Sequence, residues 1–274
     1  MNDEVLPAAA AALARGEPAA LVTIVRSNGS TPQRIGAKML VFADGRTVGT
    51  IGGGCYENDA LGRAREAIAS GRPALVEYDL NDDFVEESGL ICGGQMEVYI
   101  DPIAPAPRLY IVGAGHVGAH LAGVAADAGF RIHVVDDREK FANAERFPAA
   151  EAVVVADVAA WLRQAEMPAT SYVVIVTRGH RYDFDALRAL ATRDLRYLGL
   201  IGSRAKVARI FAALAAEGLP PERLGHVHAP IGLDIGAVTP AEIAISILAE
   251  LIAVRHGKET RAMSLRWRPG AESA

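Results

Sequence analysis

The sequence LYIVGAGHVGAHLAGVAADAGFRIHVVDD spans residues 109–137. It predicts a short apolar strand, a glycine-rich turn, a helix and a second strand that ends at Asp136. In such a turn Gly113 makes the tight bend, Gly115 lets the backbone approach a pyrophosphate, and Gly118 lets the helix pack closely on the strand. Because strand, turn, helix and acid follow in the right order, the segment predicts a Rossmann-type dinucleotide-binding fold.

The same turn indicates where a ligand would be held. The phosphates of a bound dinucleotide would lie at the helix N-terminus, where backbone N–H groups point outward and the helix dipole is positive. Asp136 follows Gly118 by 18 residues, so its carboxylate could accept from a ribose hydroxyl. Arg138 could reach a phosphate or be an ordinary solvated side chain. His116 stands where nicotinamide enzymes usually carry a small or apolar residue, which makes plain nicotinamide binding less favourable.

From residue 104 onward, short apolar strands alternate with helical stretches. This alternation is typical of a parallel sheet with crossover helices. We predict strands at LYIVGA, RIHVVDD, AVVVAD, SYVVIVT and RYLGLIG, and later helices at SRAKVARIFAALAAEG and TPAEIAISILAELIAVRH. The fold class is therefore α/β, with a Rossmann-like domain in the C-terminal part of the chain.

Two further turns carry polar groups at strand ends, where open α/β sheets bind ligands. After the SYVVIVT strand, His180 and Asp183 could contact a ligand, although a capped helix start at Asp183 explains that residue as well. Before the next helix, Ser203 is a candidate N-cap and Arg204 a candidate phosphate partner. Arg178 lies in the first of these turns.

The segment DPIAPAPR, residues 101–108, has three prolines in eight residues and no amphipathic period. It predicts a domain boundary. The N-terminal domain, residues 1–103, is then a smaller α+β unit. It begins with a helix within residues 4–20 that ends near Gly16, and a strand from Ala20 to Arg26 with a turn at Asn28 and Gly29. A hairpin, a second helix and two further strands follow. The C-terminal domain covers residues 104–274.

Composition excludes several classes of protein. The chain has 274 residues and a net charge of −5, and only two cysteines, Cys55 and Cys92. Residues 1–107 carry −7 and the remainder +2, so neither part has the basic surplus of a general nucleic-acid binder. Two cysteines fit neither a disulfide framework nor a four-ligand zinc site. With no apolar run near ~18 residues and an acidic N-terminus, we expect a cytoplasmic protein without membrane segments.

Glycine and polar residues concentrate in three segments of the N-terminal part: residues 27–38, 49–57 and 92–95. In the second, a glycine triplet that includes Gly53 and Gly54 ends a strand and leads into a helix. Consecutive backbone N–H groups of such a triplet form a nest for an anion. Cys55 would then lie at a helix N-terminus, where the thiolate is favoured. The alternative is a plain strand-to-helix turn with a buried, inert thiol.

These segments resemble the XdhC/CoxI family. In the N-terminal part the resemblance lies in SNGSTPQRIGAKMLV, GTIGGGCYE and CGGQMEVYI. In the C-terminal part it lies in LYIVGAGHVG, VVDDR, YLGLIGSRAK and HAPIGLDIGAVTPAEIAISILAELI. The matching segments occur in the same order over nearly the whole chain. A common Rossmann fingerprint alone would not produce this resemblance.

The resemblance implies a chaperone rather than an enzyme. Family members bind the molybdenum cofactor, as molybdopterin or its dinucleotide, and protect it during sulfuration by a cysteine desulfurase partner. They then insert it into xanthine dehydrogenase or a related molybdenum hydroxylase. The resemblance makes Cys55 the contact to the metal, for which thiolate is a suitable soft ligand; it says less about Cys92. The candidate cofactor-binding residues are Gly53, Gly54, Cys55, Gly113, Gly115, His116, Gly118, Asp136, Ser203 and Arg204.

One ligand that contacts both domains would need a cleft between them or one shared with a second copy of the chain. We therefore expect an oligomer, most simply a homodimer. The alternative function is an NAD(P)-dependent oxidoreductase, which would need a general acid or base beside the nicotinamide. His116 and His180 are the nearby candidates for that role. The acidic N-terminal domain could be a docking surface or simply a solvated one.

Overall fold

The computed structural model describes residues 3–80 and 94–258. The chain divides into two compact units, Met1–Pro105 and Ala106–Ala274. One five-stranded sheet is antiparallel and belongs to the first unit; the other is parallel and belongs to the second. The predicted fold class is therefore confirmed. Cys92 lies outside the described residues.

In its described residues, 3–80 and 94–105, the first unit combines two helices with an antiparallel sheet of strand order β3-β2-β1-β5-β4. Its elements, in chain order, are α1 (Val5–Arg15), β1 (Ala19–Gly29), β2 (Lys38–Phe42), β3 (Thr47–Gly49), α2 (Cys55–Ser70), β4 (Ala74–Asp79) and β5 (Gly94–Ile103).

Helix α2 packs on this sheet through a face of small residues. Ala60, Ala64 and Ala67 are buried, and their spacing places them on one side of the helix. They belong to one core with apolar residues of β1, β2 and β5. Since small side chains let the helix lie close to the strands, this packing holds the first turn of α2, with Cys55, beside the loop that leaves β3.

Strand β1 is longer than the predicted strand over 20–26. The residues expected to form a turn, Asn28 and Gly29, instead belong to β1 and pair with β5, Asn28 opposite Gln95 and Gly29 opposite Gly94. Gly29, the last residue of the strand, has a positive φ of +73°. A register shift between Ile24 and Arg26 precedes this pairing. The consequence is that the polar segment 27–38 begins on a strand.

The second unit is a parallel sheet of strand order β10-β9-β6-β7-β8. Its elements are β6 (Arg108–Val112), α3 (His116–Asp127), β7 (Arg131–Asp136), β8 (Ala150–Val155), α4 (Val158–Gln164), β9 (Tyr172–Ile175), α5 (His180–Leu190), β10 (Tyr197–Leu200), α6 (Arg204–Ala216), α7 (Pro221–Gly225) and α8 (Pro240–Arg255).

Helices cover both faces of the parallel sheet. The central strand β6 shows why: Leu109 and Ile111 join a core with α3 and α8. Tyr110 and Val112, which point to the opposite face, join a core with α4, α5 and α6. A strand buried on both faces needs a continuous apolar sequence, which the segment LYIV supplies.

The strand order reverses at β6. The chain runs outward from β6 through β7 and β8, and then returns to β9 on the other side of β6. In open α/β sheets, ligands bind in the crevice at the carboxyl ends of the strands where this reversal occurs. Gly113 follows β6 and Thr177 follows β9, so both lie at that crevice.

A buried carboxylate holds the segment after α7 onto α8. Glu250 is buried and accepts hydrogen bonds from the Tyr197 hydroxyl at 2.6 Å and the Gly232 N–H at 2.8 Å. Its other oxygen lies 3.0 Å from Nδ1 of His228. Burial acts to raise the pKa of Glu250, but the hydrogen bond and charge of His228, with the other two contacts, lower it to about 2. The HAPIGLDIG segment is thus fastened by an ionised side chain.

Every helix in the described part of the chain is too short or too polar to span a lipid bilayer.

Candidate functional site

The glycine-rich turn after β6 is tightly packed at two glycines and open at the third. Gly113 has φ +117°, and a Cβ there would lie 2.5 Å from the Val176 carbonyl oxygen. A Cβ on Gly118 would overlap the Gly113 carbonyl oxygen. Among the residues that the structure describes, none has an atom within 4 Å of a Cβ placed on Gly115. The turn therefore has the predicted bend and close helix packing, and it leaves open space where a phosphate would approach.

Asp136 braces this turn from the neighbouring strand. One oxygen accepts from the Ala114 N–H at 2.8 Å, and Arg138 donates to both oxygens through Nε at 2.8 Å and Nη2 at 2.9 Å. Burial acts to raise the pKa of Asp136, but the hydrogen bonds from Arg138 and Ala114 lower it to about 2. Its contact with a ribose stays a prediction, and both carboxylate oxygens already have donors within the chain.

The carboxyl end of β9 forms the other side of the crevice, and its helix begins earlier than predicted. Helix α5 begins at His180 after the N-cap Gly179, so the expected capped start at Asp183 is wrong. Asp183 lies inside the first turn because it is a buried acceptor: the Thr177 hydroxyl donates to it at 2.7 Å. Its other oxygen forms an ion pair with Lys206 of α6.

Sequence reasoning did not identify Lys206. Its partner Asp183 lies on another helix, separated from it by β10, so no local spacing connects the two. The contact ties the N-termini of α5 and α6 together at the carboxyl edge of the sheet. Breaking one side of a buried ion pair leaves an uncompensated charge, so this pair holds the edge in place.

Ser203 and Arg204 lie at the start of α6. The Ser203 hydroxyl accepts from the Lys206 N–H at 3.2 Å, which confirms the predicted N-cap. Arg204 is exposed, and its contact with a phosphate stays a prediction. Since α3, α5 and α6 follow β6, β9 and β10 directly, their N-termini lie along the same edge of the sheet and add positive potential there.

The two histidines that could serve acid–base chemistry are both exposed. His116 is the first residue of α3 and His180 the first of α5. Within residues 3–80 and 94–258, neither imidazole is bonded to a carboxylate that would orient it. A positioned acid–base group normally has such a partner. The geometry therefore does not favour the oxidoreductase alternative.

In the first unit, the glycine triplet before α2 forms the predicted nest, but a side chain of the chain itself fills it. Oε2 of Glu57 accepts from the Thr50 hydroxyl at 2.5 Å and the Ile51 N–H at 2.9 Å. It also accepts from the N–H groups of Gly52 at 3.2 Å and Gly53 at 3.0 Å. The expectation that this nest awaits an external anion is corrected. Contacts of Gly53 and Gly54 with a cofactor stay predictions.

The charge of Glu57 follows from these contacts. Burial acts to raise its pKa, but the hydrogen bonds from Thr50 and from the three N–H groups lower it below its ordinary value. A signal for this role was present in the sequence, because an acid in the first turn of a helix is favoured by the helix dipole. The glycine triplet was instead interpreted as a nest for an anion from outside the chain.

Cys55 is the first residue of α2, and it is exposed. The alternative of a buried, inert thiol is therefore wrong for this residue. Gly54 before it has φ +84° and lends no side-chain cap to the helix. The loop before the thiol is held by the two residues that follow it: Glu57 accepts from its N–H groups, and the Tyr56 hydroxyl donates to the Gly52 carbonyl at 3.2 Å.

The polar segments of the first unit meet in the structure. A Cβ on Gly52 would lie 2.7 Å from Cβ of Pro32, so segments 27–38 and 49–57 are in close contact. A Cβ on Gly94 would lie 2.5 Å from the Ser30 carbonyl oxygen, which places the described end of the third segment against the first. Cys92 belongs to that third segment and lies outside the described residues.

Two protein-family models match this chain. A family model of the XdhC Rossmann domain matches residues 109–251, which is more than half of the chain. A model of the XdhC and CoxI family matches residues 12–79, which include the glycine triplet and Cys55. The chain belongs to the XdhC and CoxI family.

Three proteins from Escherichia coli and Bacillus subtilis are similar in sequence to this XdhC/CoxI chain. The uncharacterized protein YqeB of Escherichia coli K12 is 38% identical over 87% of the chain, which spans only 44% of the length of YqeB. A probable xanthine dehydrogenase subunit of Bacillus subtilis 168 is 26% identical, over 87% of the chain and 94% of that protein. The molybdenum cofactor insertion chaperone PaoD of Escherichia coli K12 is 25% identical, over 93% and 89%.

A solved structure shares the fold. The crystal structure of a xanthine dehydrogenase from Bacillus halodurans superposes with a TM-score of 0.52 at 25% identity. The match covers 94% of this chain and 97% of that one.

We expect Gly118→Ala to lower the free energy of unfolding of this XdhC/CoxI chain by about 2–3 kcal/mol, because the added methyl group overlaps the Gly113 carbonyl oxygen. Gly123→Ala on the same helix is the matched control. It has nothing within 4 Å of the new Cβ and should raise the stability by about 0.5–1 kcal/mol. Urea denaturation of both variants measures the difference, and equal effects would contradict the packing assigned to Gly118.

We expect Glu57→Gln to lower the free energy of unfolding by about 1–2 kcal/mol at pH 7, because a charged acceptor is replaced by a neutral one. Since the folded pKa lies below the ordinary 4.5, the wild-type advantage is present above that pH and is lost as the pH falls through the folded pKa. Urea denaturation between pH 7 and pH 3 checks this. Glu66→Gln, on the exposed face of α2, should stay within about 0.5 kcal/mol of wild type.

Proposed function

We propose that this chain binds the molybdenum cofactor and delivers it to xanthine dehydrogenase or a related molybdenum hydroxylase. The observation that carries the proposal is the exposed thiol of Cys55 at the N-terminus of α2, within the segment that belongs to the XdhC and CoxI family. The name of PaoD, a molybdenum cofactor insertion chaperone, and that of the Bacillus subtilis relative support the same kind of role.

The surroundings of Cys55 suit a soft metal centre carried as cargo. The Cys55 thiol is exposed in the first turn of α2, and thiolate is a ligand that soft metals accept. The nest beside the thiol is already filled by Glu57. A ligand approaching this end of α2 therefore meets sulfur and no competing open anion site at Ile51, Gly52 or Gly53.

The phosphate-bearing end of the cofactor is assigned to the second unit. Gly115 leaves space beside the backbone, and the N-terminus of α3 provides N–H groups that lack intrahelical partners. Arg204 of α6 and His116 of α3 are exposed side chains at the same sheet edge. These features suit both molybdopterin, with its single phosphate, and a dinucleotide form with a pyrophosphate.

The finer parts of the proposal concern partners. A carrier that holds the metal end through a thiol would protect the cofactor while a cysteine desulfurase partner supplies sulfur. It would then release the cofactor to the apo-hydroxylase. A homodimer is part of the proposal as well, since a second copy could supply one of the two contacts. An NAD(P)-dependent oxidoreductase is not favoured, because neither exposed histidine has an orienting acid in the described residues.

We expect Cys55→Ser to abolish retention of molybdenum while leaving the fold intact, because the side chain is exposed and the new one is nearly the same size. Purified chain is loaded with molybdenum cofactor and passed through gel filtration, and bound metal is measured by mass spectrometry. The melting temperature of the variant should match that of wild type. Undiminished molybdenum on the variant would reject Cys55 as the metal contact.

Gly115→Ala tests the phosphate end separately. Its backbone has φ −70°, which alanine adopts freely, and its Cβ meets nothing within 4 Å, so the fold should be unchanged. The methyl group occupies the space assigned to the phosphate, so affinity for molybdopterin should fall about tenfold or more, roughly 1.4 kcal/mol. Fluorescence titration measures the affinity, with Gly123→Ala as the control that should bind like wild type. Equal affinities of both variants would place the phosphate elsewhere.

A further inference from the structure

An ion pair spans the crevice at the carboxyl edge of the parallel sheet. Asp137 follows β7 and Arg178 follows β9, and β6 lies between these two strands. Nη2 of Arg178 is 2.8 Å from Oδ2 of Asp137. Because neighbouring strands are about 4.8 Å apart, the two side chains reach across the end of β6, where the turn with Gly113 begins.

The carboxylate of Asp137 has a second guanidinium nearby. Nε of Arg138 is 3.8 Å from its Oδ1, while the same guanidinium holds Asp136. Arg178 in turn packs over the ring of Tyr182, 4.3 Å from its centroid, and contacts the hydroxyl. Two arginines thus approach one carboxylate at the sheet edge from which the glycine-rich turn also leaves. That turn has open space at Gly115.

We infer that the Asp137 carboxylate occupies the place of a ligand phosphate, and that Arg178 binds that phosphate once Asp137 has moved aside. This inference deepens the proposed function and rests on it, since it names a residue that selects the phosphate-bearing end of the cargo. The guanidinium of Arg178 is held on Tyr182 and needs no rearrangement, whereas Asp137 is a short side chain on a loop and can turn outward.

The exchange is physically reasonable because the existing pair is weak. Both partners are partly exposed, and exposed ion pairs are hydrated and screened by salt. A phosphate carries more negative charge than a carboxylate and offers bidentate geometry to a guanidinium. A pyrophosphate or phosphate ester should therefore displace Asp137, while neutral ligands should not. If the ion pair only links β7 to β9, removal of the Asp137 carboxylate should leave the affinity for pyrophosphate unchanged or lower it.

Titration calorimetry of the full chain with inorganic pyrophosphate at low salt tests the inference. We expect Asp137→Asn to tighten binding about three- to tenfold, because the internal competitor is removed. Arg178→Gln should weaken it about tenfold or more. In the double variant the gain from Asp137→Asn should disappear, since the two side chains act on each other.

The exposed pair Arg181 and Asp185 on α5 provides matched controls for net charge. Arg181→Gln and Asp185→Asn should each leave the pyrophosphate affinity within about twofold of wild type. The inference is overturned if Asp137→Asn fails to tighten binding, if it tightens binding equally without Arg178, or if Asp185→Asn tightens binding as much. Absence of pyrophosphate binding by both wild type and Asp137→Asn overturns it as well.

The experiment separates this inference from the proposed function. Retention of molybdenum that depends on Cys55, together with no effect at Asp137, would leave the carrier role standing and remove the exchange. Conversely, the expected calorimetry together with molybdenum retention independent of Cys55 would leave a phosphate site and remove the assigned metal contact.

Discussion

Backbone N–H groups that lie at the start of a helix or in a glycine turn need acceptors, and in both units of this chain a carboxylate of the chain itself meets part of that need. Asp136 accepts from the N–H of Ala114 in the turn after β6. Glu57 accepts from the N–H groups of Ile51, Gly52 and Gly53 before α2. Each loop is therefore held in one shape before any ligand arrives, and the shape of both candidate sites depends on these two side chains.

This bracing decides which backbone groups remain for a ligand. Both carboxylates have a lowered pKa, so they stay ionised at neutral pH and keep their donors occupied. What remains accessible is the space at Gly115 in one unit and the thiol of Cys55 in the other. The two openings differ in chemistry, since one suits a hard, doubly charged phosphate and the other a soft metal.

Local sequence was enough to predict features that depend on backbone conformation or on short periodicity. The alternation of strands and helices after residue 104 predicted the parallel sheet. The roles of Gly113 and Gly118 followed because only a residue without Cβ fits against the carbonyl groups found there. The start of α2 near Cys55 followed from the glycine triplet. These predictions succeeded since each requirement lies within a few residues of the position concerned.

The features that sequence reasoning missed depend on which donors and acceptors meet after folding. Asp183 resembled an N-cap, but the Thr177 hydroxyl and Lys206 draw it inside the first turn of α5. For Asp136 the contact with a ribose stays a prediction; what the spacing did not show is that Arg138, two residues further on, donates to both of its oxygens. Strand β10 separates Asp183 from Lys206 in the sequence, so no local spacing predicts their ion pair.

Under the proposed carrier function, the same competition between internal and external acceptors connects the site residues with the cargo. A protein that releases its ligand to a partner must bind that ligand reversibly. Carboxylates of the chain that compete with the ligand for the same donor groups lower the affinity and keep the binding reversible. In the proposed exchange, Asp137 beside Arg178 is an exposed competitor of this kind, whereas Asp136 is buried. Under that proposal, buried acids maintain the shape of the crevice, while an exposed acid sets how strongly a phosphate is held. A carrier needs both: a site already formed before loading, and an affinity limited enough to permit release.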